Sequence, residues 1–150
     1  MPKNYNDAKA QCKSDGTYLA IPRSSAENNF FAGLVPFGTG IWIGINDIKK
    51  EGRFVADDGR PISWTKWTPG QPDNHDNEDA VEIWSKYMYK QYKSVRNSWN
   101  DRRVVHKNQF ICSIRIGGKF LIKMGRLNSE KAIFSRTDFS YSNGLLITYY

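Results

Sequence analysis

The stretch Gly70–Trp84, GQPDNHDNEDAVEIW, sets Gln71, Asp73, Asn74, Asp76, Asn77, Glu78 and Asp79 around Pro72, with His75 among them and no lysine or arginine. These side chains are oxygen donors. Carboxylates gathered without a basic partner repel one another unless a cation neutralises them. Hard divalent cations accept about six to eight such oxygens in flexible geometry, so this composition points to a hard cation. Catalysis is the weaker reading. Asp73 and Glu78 resemble a glycosidase pair only in type, because an open loop among amides has no apolar pocket to raise one pKa. His75 and His106 form no metal triad with a neighbouring nucleophile. The chain is read as a binding protein, not an enzyme.

The elements that must hold this loop are legible in part. Asn6–Lys13 reads as a short helix with Tyr5, Ala8 and Cys12 on one face, ended by the SDG before Thr17. TYLAIP, from Thr17 to Pro22, reads as a strand. Ser24 followed by Glu27 is a capping box that starts a second helix through Phe30, Phe31 and Leu34. GTGIWIGI, Gly38 to Ile45, reads as a buried strand, and an irregular region rich in Gly, Pro, Asp and Asn follows to Asp79. Loops of that length inside a domain tend to be functional. AVEIW, NSWN into DRRVV, and QFICSIRI supply three further strands. Helices first, then short antiparallel strands, make an α+β arrangement.

The whole chain sets outer bounds. Its 150 residues suffice for one domain with a sizeable core. No apolar run approaches the ~18 residues of a bilayer span, so no membrane insertion is expected. The opening MPKNYNDAKAQC is too polar for a secretory leader, as in a cytosolic chain or one whose start lies elsewhere. A formal charge of +7 favours polyanionic partners. The basic residues are scattered and match no nucleic-acid motif, so no nucleic acid is expected. Cys12 and Cys112, taken alone, are either a disulfide closing a long loop or two buried thiols.

These features together resemble the C-type lectin domain. YNDAKAQCKSDGTYLAIPRSSAENNFF resembles the family's first helix, first half-cystine, strand and second helix. WIGI (Trp42–Ile45) matches its core strand, QPD (Gln71–Asp73) its sugar-binding tripeptide, ED (Glu78–Asp79) and WND (Trp99–Asp101) the motifs that follow, and QFIC its last half-cystine. The resemblance covers about Asn4 to Arg115. It gives residues 1–116 as a lectin-like domain and 117–150 as a C-terminal extension.

What the resemblance implies is specific. Gln71, Asp73, Glu78, Asn100 and Asp101 are the expected principal calcium ligands, and with His75 the expected sugar contacts. Asp47, Glu51, Asn74 and Asp79 are the expected auxiliary calcium site; otherwise Asp47 and Glu51 read as an exposed pair near Lys49 and Lys50. The bond before Pro72 is expected cis. A Gln-Pro-Asp order implies galactose or N-acetylgalactosamine, with His75 or Trp84 as a modest platform for the sugar's apolar face. Cys12 and Cys112 match the outer disulfide, which implies an oxidised, secreted protein. Useful avidity implies a homo-oligomer. Three features depart from the pattern. Ala80 and Val104 stand where the inner disulfide would be. The N-terminal strand is missing, so that FICSIRI keeps an open edge or is covered by the tail. The basic stretch SKYMYKQYKSVRNS, with Lys86, Lys90, Lys93 and Arg96, is unusual. The alternative function is a calcium-independent interaction domain that binds protein or anionic glycan through its basic surface.

Overall fold

The computed structural model describes residues 1–34, 40–84, 95–116, 119–124 and 132–134. Helix α1 (Tyr5–Ser14) begins where the Asn4 side chain accepts from the Asp7 amide, and it buries Tyr5, Ala8 and Cys12 as the spacing predicts. Strand β1 is only Tyr18–Leu19, and helix α2 spans Ser25–Gly33. The Ser24 hydroxyl accepts from the Glu27 amide at 3.2 Å, but the returning bond differs from a capping box: the Glu27 carboxylate accepts from the Arg23 amide, one residue earlier.

The sheet follows as β2 (Gly40–Asn46), β3 (Val55–Ala56), β4 (Ala80–Trp84), β5 (Trp99–Arg102), β6 (Gln109–Ile116), β7 (Lys119–Met124) and β8 (Ala132–Phe134), in the spatial order β5-β4-β2-β6-β7-β8. Its ladders are antiparallel except one. β2 and β6 run parallel, with Ile41 opposite Gln109 and Trp42 opposite Phe110, which corrects the all-antiparallel expectation. β3 was not anticipated and pairs with the end of β2. β1 reaches β6 and β2 through a close approach at Gly44, whose amide donates to the Ala20 carbonyl; a Cβ there would lie 2.7 Å from the Leu19 carbonyl oxygen.

Two apolar clusters fill the interior. Ile41, Ile43, Ile45, Val81, Ile83, Phe31 and Trp99 form one around the sheet. Tyr5, Ala8, Trp42, Phe110, Ala80 and the Cys12–Cys112 disulfide form the other, with Val104 packed against it. Ala80 and Val104, the positions of the missing inner disulfide, therefore share one apolar cluster. Lys3 exchanges both backbone bonds with Asn108, which ties the first residues to the chain just before β6. β7 pairs along β6 from Ile111 to Ile116, so that edge is covered by the tail. Lys86, Lys90 and Lys93 lie outside the described residues.

Candidate functional site

β5 is the base of the site. It lies antiparallel to β4, with Val81 opposite Asp101 and Glu82 opposite Asn100. Trp99 is fixed just before these ligands: its indole N–H donates to Asn28 Oδ1 at 2.7 Å, and Trp64 and Trp67 meet it edge-on at 5.5 and 5.7 Å. Its backbone accepts from Thr68 at 2.8 Å and donates to Lys66 at 2.7 Å, so the chain entering the loop is laid beside Asn100 and Asp101.

From there the loop turns over the strand. The Gln71 amide donates to the Thr68 carbonyl, and the Gln71–Pro72 bond is cis, as expected. The Asp73 and Asn74 amides donate to the two Asp101 carboxylate oxygens at 3.3 and 2.8 Å. Asn74, Asp76 and Asn77 adopt φ of 50°, 56° and 63°. Asn and Asp tolerate this left-handed conformation better than other side-chain-bearing residues, which explains their density as loop formers as well as donors. Asn74 Oδ1 accepts from the Glu78 amide at 2.8 Å, closing the turn.

The outcome is convergence. Asp73, Glu78 and Asp101 each offer a carboxylate oxygen, all within 4.8 Å of one another. Asp101 is fully buried and Glu78 nearly so, while Asp73 is exposed. None of the three pairs with a lysine or arginine among the described residues. Burial, and then the Asp101 charge, push Glu78 up to about 7, against the partial relief of Arg102. Such uncompensated crowding fits a divalent cation, and the donor set is the hard-oxygen type that calcium prefers.

Glu82 was not anticipated as part of the site. It is an acid within the otherwise apolar strand AVEIW, and that mismatch was the available signal. Its Oε1 accepts from the Asn100 amide at 3.2 Å and its Oε2 from Asn108 at 2.6 Å. Burial raises its carboxyl despite those bonds. Asn100 also donates to the Asp101 carbonyl, so both of its N–H groups are spent inward and its carbonyl oxygen is the group left for a cation.

The other anticipated residues are placed unevenly. Gln71 is half-buried, with Oε1 accepting from the Asp73 amide. His75 is held out in solvent, its side chain 79% exposed and 3.7 Å from Asp76. Trp84 is half-buried at the end of β4. Asp47 is 1% exposed, not a surface residue; Oδ2 accepts from the Gly52 amide at 2.8 Å, and Oδ1 is buried without a hydrogen-bond partner. Burial and the Glu51 and Asp79 charges raise its carboxyl, partly offset by that Gly52 bond. The orphaned oxygen fits a second cation. Among the described residues, however, Asp47, Glu51 and Asp79 do not converge as the first set does, and Asn74 is turned to Glu78.

Residues 1–114 match the family described as the lectin C-type domain. The chain belongs to this C-type lectin family. It is 31% identical over 118 residues to C-type lectin domain family 3 member A of Homo sapiens, covering 76% of this chain and 56% of that protein. It is 32% identical over 116 residues to lectin BRA-3 of Megabalanus rosa, covering 76% and 67%. The chain spans between 22% and 56% of the length of four curated relatives that include collectin-10 of Xenopus tropicalis and that human protein. Among solved structures, the mouse scavenger receptor C-type lectin carbohydrate-recognition domain aligns with a TM-score of 0.63 at 27% identity, over 74% of this chain and 80% of that one. CEL-I from Cucumaria echinata aligns at 0.64 and 26%, over 75% and 83%. A calcium-independent type II antifreeze protein shares the fold at 0.64 and 22%, over 75% and 78%. The chain is thus of a carbohydrate-binding family, and its acidic cluster could hold a metal.

Proposed function

We propose that this C-type lectin domain binds galactose or N-acetylgalactosamine in a calcium-dependent way. The observation that carries the reading is the convergence of Asp73, Glu78 and Asp101 with no basic partner at hand among the described residues. Gln71 and Asn100 would complete the ligand set through their amide carbonyls. Three carboxylates against a dication leave the site close to neutral, so the ion is held without burying a large net charge. When bound, calcium supplies a Lewis-acid centre to which vicinal sugar hydroxyls can attach. The Gln-Pro-Asp order supports galactose-type sugars by family resemblance. An imidazole at His75 is a poor platform for the apolar face of the sugar, so single-site affinity is weak.

Asp47, Glu51 and Asp79 would hold an auxiliary ion, supported by the orphaned Asp47 oxygen. The disulfide supports an oxidising, extracellular setting. Weak single sites favour assembly into a homo-oligomer. Residues 1–116 act as the lectin unit, with 117–150 as its extension.

The test is isothermal titration with calcium, then with galactose and mannose into calcium-loaded protein, each repeated on Asp101→Ala. Calcium heat followed by galactose heat, both lost in the variant, is the expected result. A folded protein that takes up no calcium contradicts the reading.

A further inference from the structure

We propose that the concave face built by Lys49–Ile62 is a second saccharide site, independent of calcium, that takes a sulfated glycan. A cavity of about 640 Å³ opens there, with Lys49, Lys50, Arg53 and Arg60 around it and Phe54 and Val55 in its wall. The basic residues stand on a braced turn. The Lys50 amide donates to the Asp47 carbonyl at 2.8 Å, the Arg53 amide to the Lys50 carbonyl at 2.9 Å, and the Gly52 amide to the Asp47 carboxylate. β3 then pins Val55 and Ala56 against Ile45 and Asn46, and the Phe54 ring sits 5.0 Å from Trp67.

The charge on this face is largely uncompensated. Lys49, Lys50 and Arg53 have no carboxylate partner among the described residues. Arg60 pairs with Asp58, but that carboxylate is shared with Arg23, whose bonds to it are 2.8 and 3.1 Å long. One acid held by two guanidinium groups leaves a positive surplus. A cleft of one sign with low-dielectric walls concentrates the opposite charge. Arginine forks match a pair of oxygens on a sulfate or carboxylate, and lysines add mobile point charges.

Shape selects among polyanions. A recessed cleft with a half-buried Phe54 has no projecting element to enter a duplex groove, and the exposed Ile48 and Val55 beside it are single side chains among lysines and arginines, not a continuous apolar face for a bilayer. A slender, flexible chain with charges spaced along it fits better. A second hollow of about 280 Å³ shares Arg60, but its wall is largely apolar (Leu19, Ile21, Ile114) and holds the Asp58 carboxylate, so the sulfated chain is assigned to the first hollow alone. Without calcium the acidic loop would repel the same ligand, so a sulfated chain is directed to the basic face. This inference does not rest on the calcium reading.

The test is titration of a heparin-derived hexasaccharide into the protein in excess chelator, so the outcome is separate from that of the calcium experiment. The Lys49→Ala/Arg53→Ala double variant is compared with Lys13→Ala/Lys107→Ala, which removes the same charge from exposed positions elsewhere. Thermal unfolding checks that both variants fold. Expected are saturable binding, about tenfold weaker in the Lys49/Arg53 variant and near wild type in the other, and loss of binding to the de-sulfated hexasaccharide. Equal weakening in both variants would show diffuse charge attraction and overturn the proposal. So would the absence of binding by the wild-type protein, equal affinity for the de-sulfated chain, or tighter binding to a DNA duplex or to phosphatidylserine vesicles.

Discussion

Around Cys12–Cys112 the chain is held by burial: Tyr5, Ala8, Trp42, Ala80 and Phe110 close over the disulfide, and the Trp42 indole N–H donates to the Lys3 carbonyl at 2.9 Å. Around Asp101 it is held by polar bonds, because two loop amides lean on one carboxylate whose neighbours repel it. The first region lowers its energy by excluding water and is indifferent to ions. The second gathers like charge that a bound cation would relieve. Stability therefore belongs to one end of the molecule and responsiveness to the other. Ala80 and Val104, which stand where the resemblance implies an inner disulfide, join the apolar cluster of the buried end.

Breaking the buried end should cost most. Trp42→Ala is expected to destabilise by about 3–5 kcal/mol, read by urea unfolding, with the same loss in calcium and in chelator. A loss that calcium largely restores would show that the two ends are not separate. Replacing both Cys12 and Cys112 by Ala should cost about 2–5 kcal/mol, again independent of calcium. Removing one loop brace should do less and do it selectively. Asn74→Ala deletes the bond to the Glu78 amide and places alanine at positive φ, for about 1–2 kcal/mol. Its signature is faster amide exchange at Asp73–Asp79 in chelator, with exchange in β2 and β6 unchanged.

The last effect is a pH dependence of the loop. The Glu78 carboxyl is raised to about 7 in the folded chain, above its ordinary value, so its contribution to stability is present at low pH and is lost as pH rises through about 7. In chelator, melting temperature should fall slightly between pH 5 and 8, and Glu78→Gln should remove that part of the fall. In calcium the sign reverses, because the ion must displace the same proton: affinity should weaken about tenfold per pH unit below about 7. A calcium affinity flat from pH 8 to 5.5 would contradict this.

The parts of the fold that were legible in the sequence are those set by local periodicity. AVEIW and QFICSIRI give β4 and β6 at their full lengths, and Ser24 marks the start of α2 as a side-chain cap, while α1, read from Asn6, begins at Tyr5 behind the Asn4 cap. What stayed hidden is non-local. Val55–Ala56 is too short for any period, and only its partners in β2 make it a strand. The parallel pairing of β2 with β6 depends on how the chain between them folds back, which alternation does not encode. In the site, residue types pointed to an oxygen-donor cluster, and Asp73, Glu78 and Asp101 do converge, whereas the division of labour among them is set by the folded chain. Asn74 braces the turn, Asp101 anchors two amides, and Glu82 reaches Asn100 from the neighbouring strand. Each role depends on which atom faces which neighbour, and composition carries no such information.

The most direct test of the central claim is retention on immobilised galactose at pH 7.5 with calcium present. Retention released by chelator and by free galactose, but not by mannose, is the predicted result. Passage of the folded, calcium-supplied protein straight through the column, or retention that chelator does not release, would contradict it.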